Sequence, residues 1–547
     1  MGSSRVPTPY QIVHLIKLLA NGSGGLLVCD GVGVGKTISA GYIVAFHHMM
    51  KKGDIAIVCP PVLTQKWRLE LREKFGLPTV PITNPEALTS MVEETSAHAD
   101  AGESRVYVIP YSLLSRIPLD SSPLLSLVIL DEIHTLRNPQ TQTFSSAAGL
   151  VRLAKHRVGL TATPVHNRLD DLASELSILF PQYDLDVLKV VIPEIWLTKK
   201  TSFLHPWTTR FLKDMLKVHF TRRNVENRLV RYPEDYARQV EDLLEQLKRA
   251  PGIRNSTSRL DMITRFRLAA SSPVAFFNSI GKPNPFPSPD SKAQRLLEIL
   301  GTAPDVRWLV FCDFVDTAKS LGSLIQSRPV FLMTGETDTS EREALTNGFR
   351  DKSNAVLILT SVGSEGLDFQ VASHLVNYDL HWNPMVLEQR IGRIDRIGQK
   401  SSDIHVYNFI VDGSIDERVV NVLGRKLALV SGTFADPGPI ISPTRHEPVS
   451  LVGGRLVSPD ENLVEEEMGV ARSLVESESL VRQLPSMDYE LARVLPPELC
   501  DLSRWPTDAR SWEDGVRWLP RDSAVLTWSS ELSKAASQLE EFLSHYQ

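Results

Sequence analysis

One run limits what this chain can fold into more than any other: Leu26-Leu27-Val28-Cys29-Asp30-Gly31-Val32-Gly33-Val34-Gly35-Lys36-Thr37. Its apolar start reads as a buried strand, the alternating glycines break that strand, and a helix-compatible run begins at Ile38. Glycines let successive backbone N–H groups converge on one phosphate, and the helix that follows points its positive end at the same place. Gly33, Val34, Gly35, Lys36 and Thr37 are therefore the candidate phosphate-binding residues. Lys36 would reach the β- and γ-phosphates, and the Thr37 hydroxyl would bind Mg²⁺. The strict phosphate-loop pattern has a glycine five residues before Gly35, where this chain has Asp30.

Two further signals lie in the same part of the chain. Leu127-Val128-Ile129-Leu130 reads as a central strand, and Asp131 and Glu132 close its C-terminal end, where ligands of an open α/β sheet bind. There Asp131 can hold Mg²⁺, and Glu132 can position and activate an attacking water. Leu160-Thr161-Ala162-Thr163-Pro164 is a strand end followed by a hydroxyl-bearing loop suited to sensing the γ-phosphate. Upstream, Pro9-Tyr10-Gln11 opens an apolar-periodic helix, and the Gln11 amide can both donate to and accept from an adenine edge. Ile55 to Cys59 is another buried strand, and Trp67, early in the helix that follows it, is expected in the core.

Beyond residue 290 the strand-and-helix alternation returns. Trp308 to Cys312, Ala355 to Thr360 and His374 to Tyr378 are buried strands spaced by helix-length segments, which predicts a second parallel sheet. Gln389-Arg390-Ile391-Gly392-Arg393-Ile394-Asp395-Arg396-Ile397-Gly398-Gln399 places Arg393 and Arg396 three residues apart, on one face of an expected helix. Such guanidinium groups can meet the charge that develops in phosphoryl transfer.

Phosphate loop, Asp131-Glu132-Ile133-His134 and Leu160 to Pro164, in this order, resemble the first lobe of a superfamily 2 helicase-like ATPase. The Gln389 to Gln399 string and Asp379-Leu380-His381-Trp382-Asn383-Pro384 narrow the resemblance to the Snf2 family. Glu365-Gly366-Leu367-Asp368-Phe369-Gln370 is similar to that family's bacterial branch of RNA-polymerase-associated ATPases. The resemblance covers about residues 8–425. It implies ATP and Mg²⁺ as cofactors, arginine-finger roles for Arg393 and Arg396, and a place for Gly366 and Asp368 in the motif coupling nucleic acid to nucleotide. Thr221-Arg222-Arg223 resembles the step that closes the family's first lobe. One departure is Gly31, where the family usually has an acidic residue.

The expected architecture is α/β: two tandem RecA-like domains, parallel sheets flanked by helices, with a helical insertion and a small, mostly helical C-terminal tail. The expected boundaries are 1–230 for the ATP-binding lobe, 231–287 for the helical insertion and linker, 288–430 for the second lobe, and 431–547 for an accessory, partner-docking region. A length of 547 residues accommodates this plan. Net charge is −6, so a nucleic-acid surface has to be a local patch rather than a global field. Cys29, Cys59, Cys312 and Cys500 stand far apart, which suits buried thiols in a reducing cytoplasm. No apolar run reaches membrane-spanning length, so neither a membrane partner nor a membrane location is expected.

The resemblance implies movement along double-stranded DNA driven by ATP hydrolysis between the two lobes. Two other readings stay open at this stage. One is strand separation on DNA or RNA. The other is an ATP-switched subunit that docks on RNA polymerase or within an antiviral defence complex.

Overall fold

The computed structural model describes residues 9–420, apart from 21–22, 51–52, 102, 116–124, 153, 163–168, 198–206, 212–220, 250–255, 361–366, 368, 382–383, 397–398 and 418. The chain divides into two compact units, with the break between residues 216 and 217.

The first unit is built on β1 (Gly25–Val28), β2 (Ile55–Cys59), β3 (Val80–Pro81), β4 (Val106–Pro110), β5 (Leu127–Asp131), β6 (His156–Leu160) and β7 (Thr208–Thr209). These seven strands form one parallel sheet in the order β3-β4-β2-β5-β6-β1-β7. Strands covered on both faces read as continuous apolar runs, which is why β1, β2 and β5 were legible from sequence. Alternate residues serve opposite faces: Leu27, Ala56, Val58, Val128 and Leu130 join one core, and Leu26, Val28, Ile55, Ile57, Leu127 and Ile129 the other. Register places Val28 beside Leu160 and Leu160 beside Asp131, so β1, β6 and β5 end in one row.

The second unit carries β8 (Arg222–Val230), β9 (Trp308–Cys312), β10 (Val330–Met333), β11 (Val356–Thr360), β12 (His374–Asn377) and β13 (Asp403–Val411). They form a six-stranded parallel sheet in the order β10-β11-β9-β12-β13-β8. Two parallel sheets flanked by helices are the fold class that the sequence led us to expect. Cys29, Cys59 and Cys312 are buried free thiols.

The boundary expected at residue 230 falls elsewhere. The Arg222-Arg223 segment does not close the first sheet. It opens β8, which pairs with β13 over its whole length, from Arg222 beside Asp403 to Val230 beside Val411. Arg223 fixes this placement, with one guanidinium edge on Glu388 at 2.7 Å and its Nε on Asp395 at 2.6 Å. The stretch expected as an insertion, 231–287, is a flank of the second core. Tyr232, Tyr236, Val240, Phe266, Phe276 and Phe277 pack in one cluster with Trp308, Val310 and Ile358 of the sheet. The expected tail, 431–547, lies outside the described residues.

Lys292 is the most constrained charge in this core. It is fully buried and donates to the Ala270 carbonyl at 2.9 Å and to Asp379 Oδ1 at 3.1 Å, with Asp416 at 4.0 Å and the Tyr378 ring 4.7 Å away. Asp379 Oδ2 accepts from the Ser271 hydroxyl and the Asp313 N–H, both at 2.9 Å. Burial pushes Asp416 up to about 6 and the Lys292 charge pulls it back. Replacing Lys292 with alanine strands carboxylates without their cation, so a loss of about 3–5 kcal/mol is expected. Equilibrium urea unfolding reads this directly, and an unchanged midpoint would show that the pair does not hold the flank.

Candidate functional site

The phosphate loop is held from behind by the first helix, Pro9–Ala20. The Tyr10 hydroxyl donates to the Val34 carbonyl at 2.8 Å, and His14 Nε2 lies 2.8 Å from Asp30 Oδ2. Asp30 Oδ1 accepts the Phe211 N–H at 2.9 Å, and Gly31 N–H donates to the Phe211 carbonyl at 2.8 Å. This accounts for the aspartate in the usual glycine position: it is a buried tie from the loop to the chain after β7, not a phosphate contact. Gly33 and Gly35 adopt φ of 81° and 97°, the left-handed region where a side chain is strained. A Cβ on Gly35 would sit 4.0 Å from Gln11 Nε2, so the Gln11 amide stands beside the loop.

Lys36 and Thr37 begin the helix Lys36–Met49, whose first N–H groups face the loop. The Lys36 ammonium donates to the loop carbonyls of Asp30 at 2.9 Å and Gly31 at 3.3 Å.

Asp131 and Glu132 stand at the end of β5, two strands across from the loop. Asp131 is buried. Its Oδ2 accepts from Trp67 Nε1 at 2.8 Å and its Oδ1 from the Glu132 N–H at 3.0 Å. Burial and the neighbouring Glu132 push its carboxyl up to about 7, while the Trp67 bond and the charges of Lys66 and Lys36 pull it down. Trp67 is thus a core residue with a role that sequence did not reveal: its indole N–H orients the acid. Glu132 has φ of 51°, the only positive φ at a non-glycine among the described residues. Such strain costs of order 1–3 kcal/mol and gathers at active sites. His134 Nδ1 lies 3.4 Å from Glu132 Oε2 and 3.4 Å from the Thr161 hydroxyl, linking the acid pair to the end of β6.

Three motifs therefore meet on three neighbouring strand ends: the loop on β1, Thr161 after β6, and the acid pair on β5. Asp131 and Thr37 offer hard oxygen donors, the class that suits Mg²⁺. Among the described residues no group of three or more His, Cys, Asp or Glu could cage a metal. That donor set fits an ion held by one or two protein oxygens together with substrate phosphates.

Arg393 and Arg396 lie in the second unit, and not on a helical face. The helix Pro384–Ile391 ends just before them, and Arg393 N–H and Ile394 N–H donate three residues back, to Arg390 and Ile391. The cause is competition for the same groups. The Arg393 carbonyl accepts the Phe369 N–H at 3.0 Å, and Asp395 is drawn to Arg223 and the Thr221 hydroxyl. Arg393 Nη1 donates to the Leu367 carbonyl at 3.2 Å and Arg396 Nε to the Gly392 carbonyl at 2.6 Å. Gly366, Asp368, Thr163 and Pro164 lie outside the described residues.

Comparison with known proteins finds two matching domain families. Residues 11–186 match the SNF2-related domain, and residues 291–398 match the helicase conserved C-terminal domain. The chain is 28% identical over 463 residues to an uncharacterized ATP-dependent helicase, YqhH, of Bacillus subtilis, covering 78% of this chain and 79% of that protein. It is 24% identical over 455 residues to the putative ATP-dependent helicase/translocase YwqA of the same organism, covering 78% and 48%. It is also 24% identical over 469 residues to the mouse DNA annealing helicase and endonuclease ZRANB3, covering 78% and 40%. The chain thus spans less than half the length of the latter two. Among the described residues, no helix is long and apolar enough to cross a membrane.

Proposed function

We propose that this chain, with its SNF2-related and helicase C-terminal domains, hydrolyses ATP and uses the cycle to move along duplex DNA. The observation that carries the reading is the convergence of loop, Thr161 and acid pair on adjacent strand ends. Gln11 reads the adenine edge, and the turn Gly33-Val34-Gly35 receives the phosphates. Lys36 meets the β- and γ-phosphates. Glu132 orients the attacking water and takes up its proton. Thr37 and Asp131 would hold Mg²⁺, which would supply charge neutralisation on the phosphate oxygens. Arg393 and Arg396 are the candidate arginine fingers.

Two relatives are described as a helicase/translocase and as a DNA annealing helicase, which supports DNA as the track. Contacts to the track are to phosphates, so binding is salt-sensitive and tolerant of sequence. A protein partner, RNA polymerase or a subunit of an antiviral defence complex, belongs to the same reading.

Steady-state ATPase rates without nucleic acid, and with duplex DNA, single-stranded DNA or RNA, test the reading. Strong stimulation by duplex DNA is expected. Stimulation by single strands or RNA alone would transfer the activity to strand separation, and a flat response would make a protein the activator.

A further inference from the structure

The arginine motif is gripped by a residue expected from sequence at the close of the first lobe. Arg223, in β8, places Nη1 and Nη2 on the two carboxylate oxygens of Glu388, each at 2.7 Å, and Nε on Asp395 Oδ2 at 2.6 Å. The Thr221 hydroxyl donates to the other oxygen, Asp395 Oδ1, at 2.6 Å. The three charged side chains are buried.

Glu388 and Asp395 stand on either side of a helix end. Glu388 lies in the last turn of the helix Pro384–Ile391, and Asp395 lies beyond it. One guanidinium therefore spans the point where the helix stops, in the fork geometry that arginine supplies and lysine does not. Arg393 and Arg396 flank Asp395 in a stretch with no helix to fix their directions. The ties on this stretch fix them instead. The Phe369 N–H donates to the Arg393 carbonyl at 3.0 Å, the Gln399 amide donates to the Ile394 carbonyl at 2.8 Å, and Arg223 and Thr221 hold Asp395.

An aspartate between two arginines is also a competitor for them. A carboxylate paired with either guanidinium would cancel the charge that a phosphate has to meet. Here both Asp395 oxygens accept from β8 and from Thr221 just before it. Arg393 Nη1 and Arg396 Nε donate to the uncharged carbonyls of Leu367 and Gly392.

We propose that Arg223 is a positioning residue for Arg393 and Arg396: with Thr221 it clamps Glu388 and Asp395, sets the direction of the two arginines, and keeps Asp395 from neutralising them. The inference rests on the arginine-finger reading above.

Arg223→Lys keeps the buried cation and removes the fork, so the carboxylates are not stranded. The variant should lose about tenfold in kcat with KM for ATP within about twofold, since a displaced finger costs the transition state and not the ground state. Thr221→Val keeps the side-chain shape, removes one donor, and should lose about threefold. Binding of ADP with aluminium fluoride, which mimics the phosphoryl group in transfer, should weaken in Arg223→Lys by the same factor as kcat, while binding of ADP alone should not change. A brace that merely stabilised the second unit would lower the unfolding midpoint and leave the ratio of these two affinities as in the parent. Parent kcat in both variants, or equal losses in the two affinities, overturns the proposal. If Arg223→Lys does not fold, the same ratio in Thr221→Val decides. Arg393→Ala and Arg396→Ala, measured in parallel, separate the clamp from the reading beneath it. If both turn over ATP at the parent rate, the finger assignment is what fails, and the clamp's role falls with it.

Discussion

Glu132→Gln is expected to bind ATP as the parent does and to lose about a thousandfold in turnover, within the range that a positioned general base contributes. The substitution removes one proton acceptor and, with its charge, one of the causes that push the Asp131 carboxyl up. The amide is isosteric, so the left-handed backbone at this residue and the 3.4 Å approach to His134 can persist. Asp131 keeps its bonds to Trp67 and to the residue 132 N–H, so its carboxylate stays in place. Binding energy from the loop and from Gln11 is untouched, which separates kcat from ground-state affinity. Single-turnover hydrolysis alongside nucleotide-binding titration measures both quantities. Turnover at the parent rate would remove Glu132 from the chemistry, and equal losses in affinity and rate would make it a structural brace.

The strands and the site motifs were legible because parallel strands buried on both faces leave unbroken apolar runs, and the motifs sit where those runs stop. What stayed hidden depends on partners distant in sequence. β8, Arg-Arg-Asn-Val-Glu-Asn-Arg-Leu-Val, carries no strand signature of its own. Its polar residues lie along a sheet edge, and only β13, with Glu388 and Asp395, makes Arg223 an interior residue. The arginine motif read as a continuous helix because local spacing cannot show that Phe369 claims the Arg393 carbonyl. Trp67 was legible as core, yet its bond to Asp131 joins residues 64 positions apart. Glu175 gave no sequence signal at all, since a single glutamate in a helix normally faces water. In the structure it is fully buried.

Lys36→Ala is expected to reduce ATP turnover by at least about a thousandfold while the protein stays folded. The side chain lies partly buried over the loop and donates to the Asp30 and Gly31 carbonyls. Alanine at the first position of the helix Lys36–Met49 is a good helix former, and the ties from Tyr10, His14 and Phe211 still hold the loop. Stability should therefore fall by only about 1–3 kcal/mol, the scale of two partly buried hydrogen bonds. On the proposed reading, the loss arises because the ammonium meets phosphate charge that grows toward the transition state. Removing the cation also alters Asp131, since the Lys36 charge is one of those that favour its ionised form. Two components of the site weaken at once, so the effect should exceed that of losing one donor. Thermal unfolding and ATPase rate on the same preparation distinguish the outcomes. A folded variant with near-parent turnover would dismiss the loop as the phosphate site, whereas an unfolded one would show that Lys36 braces the loop through its carbonyls.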